Sequence, residues 1–145
     1  MRDYRTILLA EDDPQDVELT LEALREHKLA NRVVVVRDGV QAMDFLRCEG
    51  DYAARGPEKP VVILLDIKMP RMDGLEVLQI IKKDPELRTI PVVMLTSSRE
   101  SPDLITSYQL GVNAYVVKPV DFPKFFQAIK QLGVFWALLN EPPPA

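Results

Sequence analysis

Acidic residues close two short apolar runs of this sequence. Asp66 follows the run VVILL, and an acidic triplet, Glu11 to Asp13, follows the run TILLA. Short β-branched runs that end in polar residues are typical of buried parallel strands. Open α/β sheets bind their ligands at the carboxyl ends of such strands, which lie along one edge of the sheet. We therefore expect Asp66 and the acidic triplet to share one site.

Two more polar residues end later apolar runs. Thr96 closes the run PVVMLT, and Lys118 follows the run AYVV. With the carboxylates, these residue types suit the transfer of a phosphoryl group onto a carboxylate, with Asp66 as the nucleophile. Because carboxylates and phosphate repel each other, such a site needs a divalent cation, and hard oxygen ligands suit Mg²⁺. Lys118 would add a positive charge for the phosphoryl oxygens, and Thr96 a hydroxyl donor.

The elements that must position these residues form a repeated βα pattern. Strands are predicted over 6–10, 32–36, 61–66, 91–96 and 114–117. Helices are predicted from Pro14 to about His27, around Val40 to Leu46, from Leu75 to a stop at Asp84-Pro85, from Ser101-Pro102 to a cap at Gly111, and from Asp121 to Leu132. Strands that alternate with helices predict a parallel sheet with helices on both faces. The segment 48–60 is predicted to be a loop, longer than most αβ connections.

Composition narrows the classes of function. A chain of 145 residues with 47% apolar and 28% charged residues fits one soluble globular domain. The net charge of −4 argues against a nucleic-acid partner, which would need a basic face. A single cysteine, Cys48, and a single histidine, His27, exclude a disulfide framework, most zinc sites and a His-based triad. Without a signal-peptide pattern or a membrane-spanning run, we expect a cytoplasmic protein with no membrane partner.

Four motifs together resemble the receiver domain of bacterial two-component response regulators. They are AEDDP at 10–14, LLDIKMPRMDG at 64–74, LTSS at 95–98 and YVVKP at 115–119, and the resemblance runs from about Thr6 to Leu132. It implies an α/β fold of the flavodoxin-like type, a doubly wound five-stranded parallel sheet of order 2-1-3-4-5 with helices on both faces. The expected division is a receiver domain over 1–133 and an apolar extension with a proline-rich tail over 134–145.

The resemblance also implies roles for the residues at the strand ends. Asp66 would be the phosphoacceptor, assisted by Lys118 and Thr96. Thr96 would be the switch hydroxyl and Tyr115 the switch aromatic, although Tyr115 could also be plain core. The bond between Lys118 and Pro119 would be cis, as it usually is in the family.

The metal ligands implied by the resemblance belong to two strand ends. Asp12 and Asp66 would bind Mg²⁺ directly, the backbone carbonyl of Lys68 would be a further ligand, and Glu11 would reach the metal through water. Asp13 is ambiguous, because an alignment slipped by one residue would make it a ligand. We favour Asp13 as a helix cap, since a proline follows it. No organic cofactor is implied.

A narrower resemblance is to the single-domain receivers that partner bacterial phytochromes. It depends on the long loop before the third strand, on the segment KKDPELRTIPVV at 82–93 and on Phe135-Trp136. The implied partner is a sensor histidine kinase, with a bacteriophytochrome as the candidate. By analogy with the family, Lys68 and Ser98 flank the approach of an attacking water and would tune the lifetime of the phosphate.

The apolar segment Val134 to Leu139 needs cover on more than one side if it is helical. It could fold back on its own domain or contact a second chain. We expect a homodimer through the fourth helix, the fifth strand, the fifth helix and Phe135/Trp136.

The expected function is a signalling module that accepts a phosphoryl group from a histidine kinase and acts through protein contacts, with no output domain after Leu132. Phosphorylation and dephosphorylation would be self-catalysed, without enzymatic turnover. One alternative is a magnesium-dependent phosphatase of the haloacid-dehalogenase type. Two features count against it: Lys68 stands where that family has a general acid two residues after the nucleophile, and the acidic pair comes early in this chain but late in that family. Another is a module that keeps the fold without the chemistry. A dinucleotide site is excluded, because no G-x-G-x-x-G follows the first strand.

Overall fold

The computed structural model describes residues 6–56, 58–97, 102–112 and 114–133. Its regular elements are β1 (Ile7–Ala10), α1 (Pro14–Arg25), β2 (Val33–Val36), α2 (Gly39–Arg47), β3 (Val62–Asp66), α3 (Gly74–Lys83), β4 (Val92–Thr96), α4 (Pro102–Gln109), β5 (Ala114–Val117) and α5 (Phe122–Leu132). The strands form one five-stranded sheet in the order β2-β1-β3-β4-β5, and every neighbouring pair is parallel. The predicted fold and strand order are therefore confirmed.

The central strands are buried on both faces, as in a sheet with helices on each side. Every residue of β1, β3 and β4 is buried. Side chains alternate between the faces along each strand, so that Leu8 and Ala10 join one core cluster and Ile7 and Leu9 the other. Phe45 of α2 lies in the first cluster. The helices therefore cover both faces and leave the edge formed by the strand ends for the site.

The strand register places the candidate residues along that edge. Ala10 pairs with Leu65, and Asp66 pairs with Leu95 on the next strand. Thr96 pairs in turn with Val117. The ends of β1, β3, β4 and β5 are thus level with one another.

Aspartates that follow strand ends cap four of the helices, α1, α2, α3 and α5. Asp13 caps α1, where its Oδ1 accepts from the backbone N–H of Gln15 at 2.8 Å. Asp73 forms a capping box with Glu76 at the start of α3, and Asp121 caps α5. The prediction that Asp13 caps a helix is confirmed.

Some predicted boundaries were wrong by one or two residues. α1 ends at Arg25 and not at His27, and Lys28 takes a left-handed conformation with φ 59°. Four strands begin one residue later than predicted. The segment before β3 is not wholly irregular, because it contains a 3₁₀ turn, Gly50–Tyr52. Ser101 and the segment 134–145 lie outside the described residues.

The side chain of Arg55 fastens the long segment before β3 to α2. Its guanidinium lies 4.1 Å from the centre of the Phe45 ring and donates to the Phe45 carbonyl at 3.0 Å.

None of the described helices is long and apolar enough to cross a bilayer.

Gly74 lets α3 begin directly beneath Asp66. Its N–H donates to the Ile67 carbonyl at 2.8 Å, and an added Cβ would overlap the Asp66 carbonyl oxygen and lie 2.9 Å from Ile67 Cα. Both obstacles are backbone atoms, which cannot rotate away as a flexible side chain would.

We expect Gly74→Ala to lower the free energy of unfolding by about 3 kcal/mol, because overpacking against backbone forces a shift. The matched control is Gly133→Ala, where φ is +72° but no described atom lies within 4 Å of the added Cβ. Its cost should be only about 1 kcal/mol, from the left-handed conformation. Urea denaturation of both variants measures the difference, and a smaller loss for Gly74→Ala than for Gly133→Ala would contradict the close approach.

Candidate functional site

Three carboxylates meet at the ends of β1 and β3. One oxygen from each of Glu11, Asp12 and Asp66 lies within 4.8 Å of the others. Glu11 and Asp66 are buried, with 1% and 4% of their surface exposed, whereas Asp12 is exposed to solvent. The site predicted from the two strand ends is therefore present, with one carboxylate open to the outside.

Asp13 lies beside this cluster but is not a member of it. Its side chain caps α1, and its backbone N–H donates to Glu11 Oε2 at 3.3 Å. Within the ranges that the structure describes, the cluster contains Asp12 and not Asp13. Asp12, and not Asp13, therefore belongs to the group of oxygens that could hold a metal ion.

The ammonium of Lys118 lies against the buried carboxylates. Lys118 Nζ is 3.1 Å from Asp66 Oδ1 and 3.0 Å from Glu11 Oε1. It is also 3.1 Å from Asp16 Oδ2, in the first turn of α1. The Lys118 backbone N–H donates to the Thr96 carbonyl at 2.8 Å, and the Lys118–Pro119 bond is cis, as the resemblance implied.

Sequence reasoning missed Asp16. An acidic residue in the first turn of a helix is common, because it complements the helix dipole. One feature of the sequence could have identified Asp16 as a site residue: it lies about one helical turn after the acidic triplet that follows β1.

A small cavity of about 70 Å³ opens beside Asp66. Thr96, at the end of β4 and 3% exposed, lines it together with Asp66 and Lys118. The remaining lining residues are Ile67, Lys68, Leu95, Ser97 and Asp103. The predicted nucleophile, hydroxyl and ammonium therefore face one space.

Lys68 and Asp103 form an ion pair beside this cavity. Lys68 Nζ lies 3.0 Å from Asp103 Oδ2 in the first turn of α4, and the Lys68 side chain is 84% exposed. The hydrogen bond to Asp103 and its charge raise the pKa of Lys68. The pair thus links the segment after β3 to α4. Ser98, which was predicted with Lys68 to tune the lifetime of the phosphate, lies outside the described residues.

Tyr115 lies away from the cavity, on β5. Its half-buried ring meets Tyr108 of α4 edge to face, with 6.1 Å between the ring centres. It also packs against a core cluster. The position therefore accommodates both readings of Tyr115, as a switch aromatic and as core.

The electrostatics of the site favour added positive charge. The pKa of Glu11 is raised to about 8, first by burial and then by the hydrogen bond and charge of Asp66, against the opposing effect of Lys118. Burial alone would lower the pKa of Lys118, but its contacts with Glu11 and Asp66 outweigh burial and raise it. The ammonium stays charged, and Glu11 is driven toward its protonated form by burial and by the neighbouring carboxylate of Asp66.

This donor set fits a divalent cation. The cluster offers hard oxygen ligands, one of them exposed, and burial together with the neighbouring Asp66 disfavours the charged form of Glu11. A bound cation would favour that charged form, and oxygen ligands are those that hard divalent cations prefer.

The chain is similar to known proteins both in sequence and in fold. Residues 7–130 match the family model described as the response regulator receiver domain. Response regulator Rcp1 of Synechocystis sp. is 39% identical over 132 residues, which are 91% of this chain and 88% of that protein. A solved structure described as the Mn(2+)-bound form of Rcp1 has a TM-score of 0.74, with 39% identity over 97% of this chain and 99% of that one.

Two other similar structures carry bacteriophytochrome in their names. The bacteriophytochrome response regulator AtBRR is 63% identical, with a TM-score of 0.86, over 94% of this chain and 98% of that one. The bacteriophytochrome response regulator RtBRR is 61% identical, with a TM-score of 0.85, over 97% of this chain and 84% of that one.

The raised pKa of Glu11 predicts how stability depends on pH in the metal-free protein. Between the ordinary value of 4.5 and the folded value of about 8, the folded state binds more protons at Glu11 than the unfolded state does. The free energy of unfolding should therefore fall as pH rises from about 5 to 8. Urea denaturation in EDTA measures it, and Glu11→Gln should flatten the slope because it cannot ionise. A variant that keeps the full slope would contradict this assignment.

Proposed function

Because the chain belongs to the family of response regulator receiver domains, we propose that Asp66 is the residue that accepts its phosphoryl group. The protein is a phosphoryl acceptor of two-component signalling, similar to the phytochrome response regulators. The observation that supports Asp66 is its contact with Lys118, whose Nζ lies 3.1 Å from Asp66 Oδ1 at the wall of the cavity. A nucleophile, a cation and an open space thereby meet at one strand end.

In the proposed reaction, a carboxylate oxygen of Asp66 attacks the phosphorus of a phosphohistidine. An O–P bond forms, the P–N bond breaks, and its electron pair leaves with the imidazole nitrogen. Lys118 donates to the phosphoryl oxygens, and Thr96 offers its hydroxyl from the same cavity. Phosphoryl transfer depends mainly on positioning and charge stabilisation, which these residues provide.

We propose Mg²⁺ as the cation. Asp12 and Asp66 would bind it directly, Glu11 through water, and the backbone carbonyl of Lys68 would complete the protein ligands. When bound, Mg²⁺ supplies the positive charge that offsets the carboxylates and the transferred group. The oxygen cluster supports this assignment, as does a relative described as Mn(2+)-bound.

We propose that Thr96 and Tyr115 transmit the phosphorylated state. Thr96 would move toward the phosphoryl oxygens, and Tyr115 would turn into the space that Thr96 leaves. The ring contact between Tyr115 and Tyr108 supports this role, because it links β5 to the outer face of α4. Allosteric coupling of this kind typically amounts to about 1–3 kcal/mol.

The partners are proposed from the relatives and from the surface of α4. The donor would be a sensor histidine kinase, and the names of AtBRR and RtBRR support a bacteriophytochrome. Ile105 and Tyr108 of α4 are 61% and 47% exposed, which supports a homodimer through α4, β5 and α5. Three further points stay predictions: the contribution of Phe135 and Trp136 to the dimer, the end of the receiver domain at residue 133, and the cytoplasmic location.

Turnover as a phosphatase is not favoured. The haloacid-dehalogenase type needs a general acid two residues after the nucleophile, where this chain has Lys68, which is paired with Asp103. We propose instead that phosphorylation and hydrolysis are self-catalysed at Asp66, and that the signal is passed on through protein contacts. A module without chemistry is equally disfavoured, since Asp66, Thr96 and Lys118 line one cavity.

Incubation with acetyl phosphate and Mg²⁺ should label the protein once, and Asp66→Asn should abolish the label, because the amide oxygen cannot form the acyl phosphate. Intact-mass spectrometry counts the added phosphoryl groups. The control is Thr96→Ala, which should still be labelled but should lose the phosphorylation-dependent change in partner affinity. Normal labelling of Asp66→Asn would remove the assignment.

Lys68 should tune the lifetime of the phosphate. Lys68→Ala should speed hydrolysis, because a cation beside the cavity is lost, whereas Asp103→Asn should slow it by freeing Lys68 for the phosphoryl oxygens. Each change should be at most about fivefold, since solvent screens an exposed ion pair and leaves it weak. Decay of the labelled protein after removal of donor measures both rates, and equal rates in the two variants would contradict a role for the pair.

A further inference from the structure

We propose that Asp16 is a positioning residue for phosphoryl transfer, which holds the ammonium of Lys118 at Asp66. This inference depends on the proposed function of Asp66 and adds a residue to it. The geometric observation is a 3.1 Å contact between Lys118 Nζ and Asp16 Oδ2. The Lys118 side chain is 17% exposed and that of Asp16 is 27% exposed, so the contact is largely shielded from solvent.

The first turn of α1 places the Asp16 carboxylate. Asp13 caps the helix, and its Oδ1 accepts from the backbone N–H of Asp16 at 3.4 Å. One turn later, Thr20 Oγ1 donates to the Asp16 carbonyl at 2.8 Å. The backbone of Asp16 is therefore held on both sides, and its side chain extends toward the sheet edge.

The Lys118 ammonium has three N–H donors and three carboxylate partners. Glu11 and Asp66 are 3.0 Å and 3.1 Å away, and Asp16 is the third. A lysine stem is flexible, so the position of its ammonium depends on the partners that hold it. Loss of one partner leaves a donor free and widens the range of positions of Nζ.

Asp16 differs from the other two partners in what else it can bind. Glu11 and Asp66 belong to the oxygen cluster that suits a cation, and the described part of the chain places Asp16 outside that cluster. If the cluster binds a cation and Asp66 carries a phosphoryl group, Glu11 and Asp66 are engaged elsewhere, and Asp16 is the partner left to hold Lys118. It can keep the ammonium in place through the whole transfer.

An ordinary role for Asp16 is to stabilise the helix start through its charge. That role needs no contact with Lys118 and would be served equally by any carboxylate in the first turn. Two substitutions separate the two roles. Asp16→Asn keeps an oxygen acceptor in place and removes the charge, whereas Asp16→Glu keeps the charge and moves it by one methylene.

The experiment is the rate of labelling of the full chain by acetyl phosphate at saturating Mg²⁺. We expect Asp16→Ala to be slower than wild type by about tenfold, since misplacement of a catalytic group by about 1 Å can cost up to about 100-fold. Asp16→Asn should label faster than Asp16→Glu. Labelling of Asp16→Glu at or above the rate of Asp16→Asn would overturn the positioning role.

A double-variant comparison tests whether Asp16 acts through Lys118. In the Lys118→Ala background, Asp16→Ala should cause no further loss of rate. An equal loss in both backgrounds would contradict the inference. Glu18→Gln is the matched control, because this acid of the same helix is 63% exposed and pairs with Arg25, so its labelling rate should equal that of wild type.

The same set of proteins distinguishes the two levels of the proposal. If Asp66→Asn still labels, the assignment of Asp66 fails whatever Asp16 does. If Asp66→Asn does not label and Asp16→Ala labels at the wild-type rate, only the inference about Asp16 fails. Asp16→Glu and Asp16→Asn keep the first turn polar, so the test holds even if Asp16→Ala does not fold.

Discussion

The contact between the Lys118 ammonium and the carboxylates at the strand ends is the interaction on which the rest of the site depends. Glu11 and Asp66 are buried side by side, and carboxylates so placed disfavour each other's ionisation. Lys118 offsets part of that charge at 3.0 and 3.1 Å. The pKa of Glu11 is nevertheless raised, first by burial and then by Asp66, so the charged form of Glu11 is disfavoured in the metal-free site. A bound cation would favour that charged form and would offset the negative charge of a phosphorylated Asp66.

The strand order explains why a lysine is needed at this place. β5 pairs with β4 and not with β3, so a side chain at the end of β5 must pass the end of β4 to reach Asp66. The four-carbon stem of lysine covers this span, and the Lys118 backbone N–H donates a hydrogen bond to the Thr96 carbonyl on the way. The parallel pairing of β3, β4 and β5 thereby sets the relative positions of Asp66, Thr96 and Lys118. Gly74 contributes from below, because it lets α3 begin against the Asp66 backbone.

The fold and most of the site could be predicted because both depend on local patterns. Apolar runs predicted the strands, the acids that follow two of these runs predicted a shared site, and a proline after Asp13 predicted a helix cap. The strand order came from the resemblance to receiver domains. Asp16 and Asp103 could not be predicted in the same way, because first-turn acids occur in most helices and their partners are far away in the sequence. The contact of Arg55 with Phe45 is of the same kind, since it depends on how one segment folds over α2.

Similarity to bacteriophytochrome response regulators and an intact set of site residues support one account, in which Asp66 carries the phosphoryl group. The most direct measurement is chemical trapping of that bond. The protein phosphorylated with acetyl phosphate and Mg²⁺ is reduced with borohydride, and its peptides are mapped by mass spectrometry. The account predicts conversion of Asp66 to homoserine and of no other carboxylate. Reduction at Asp12, at Asp16 or at no residue would contradict it.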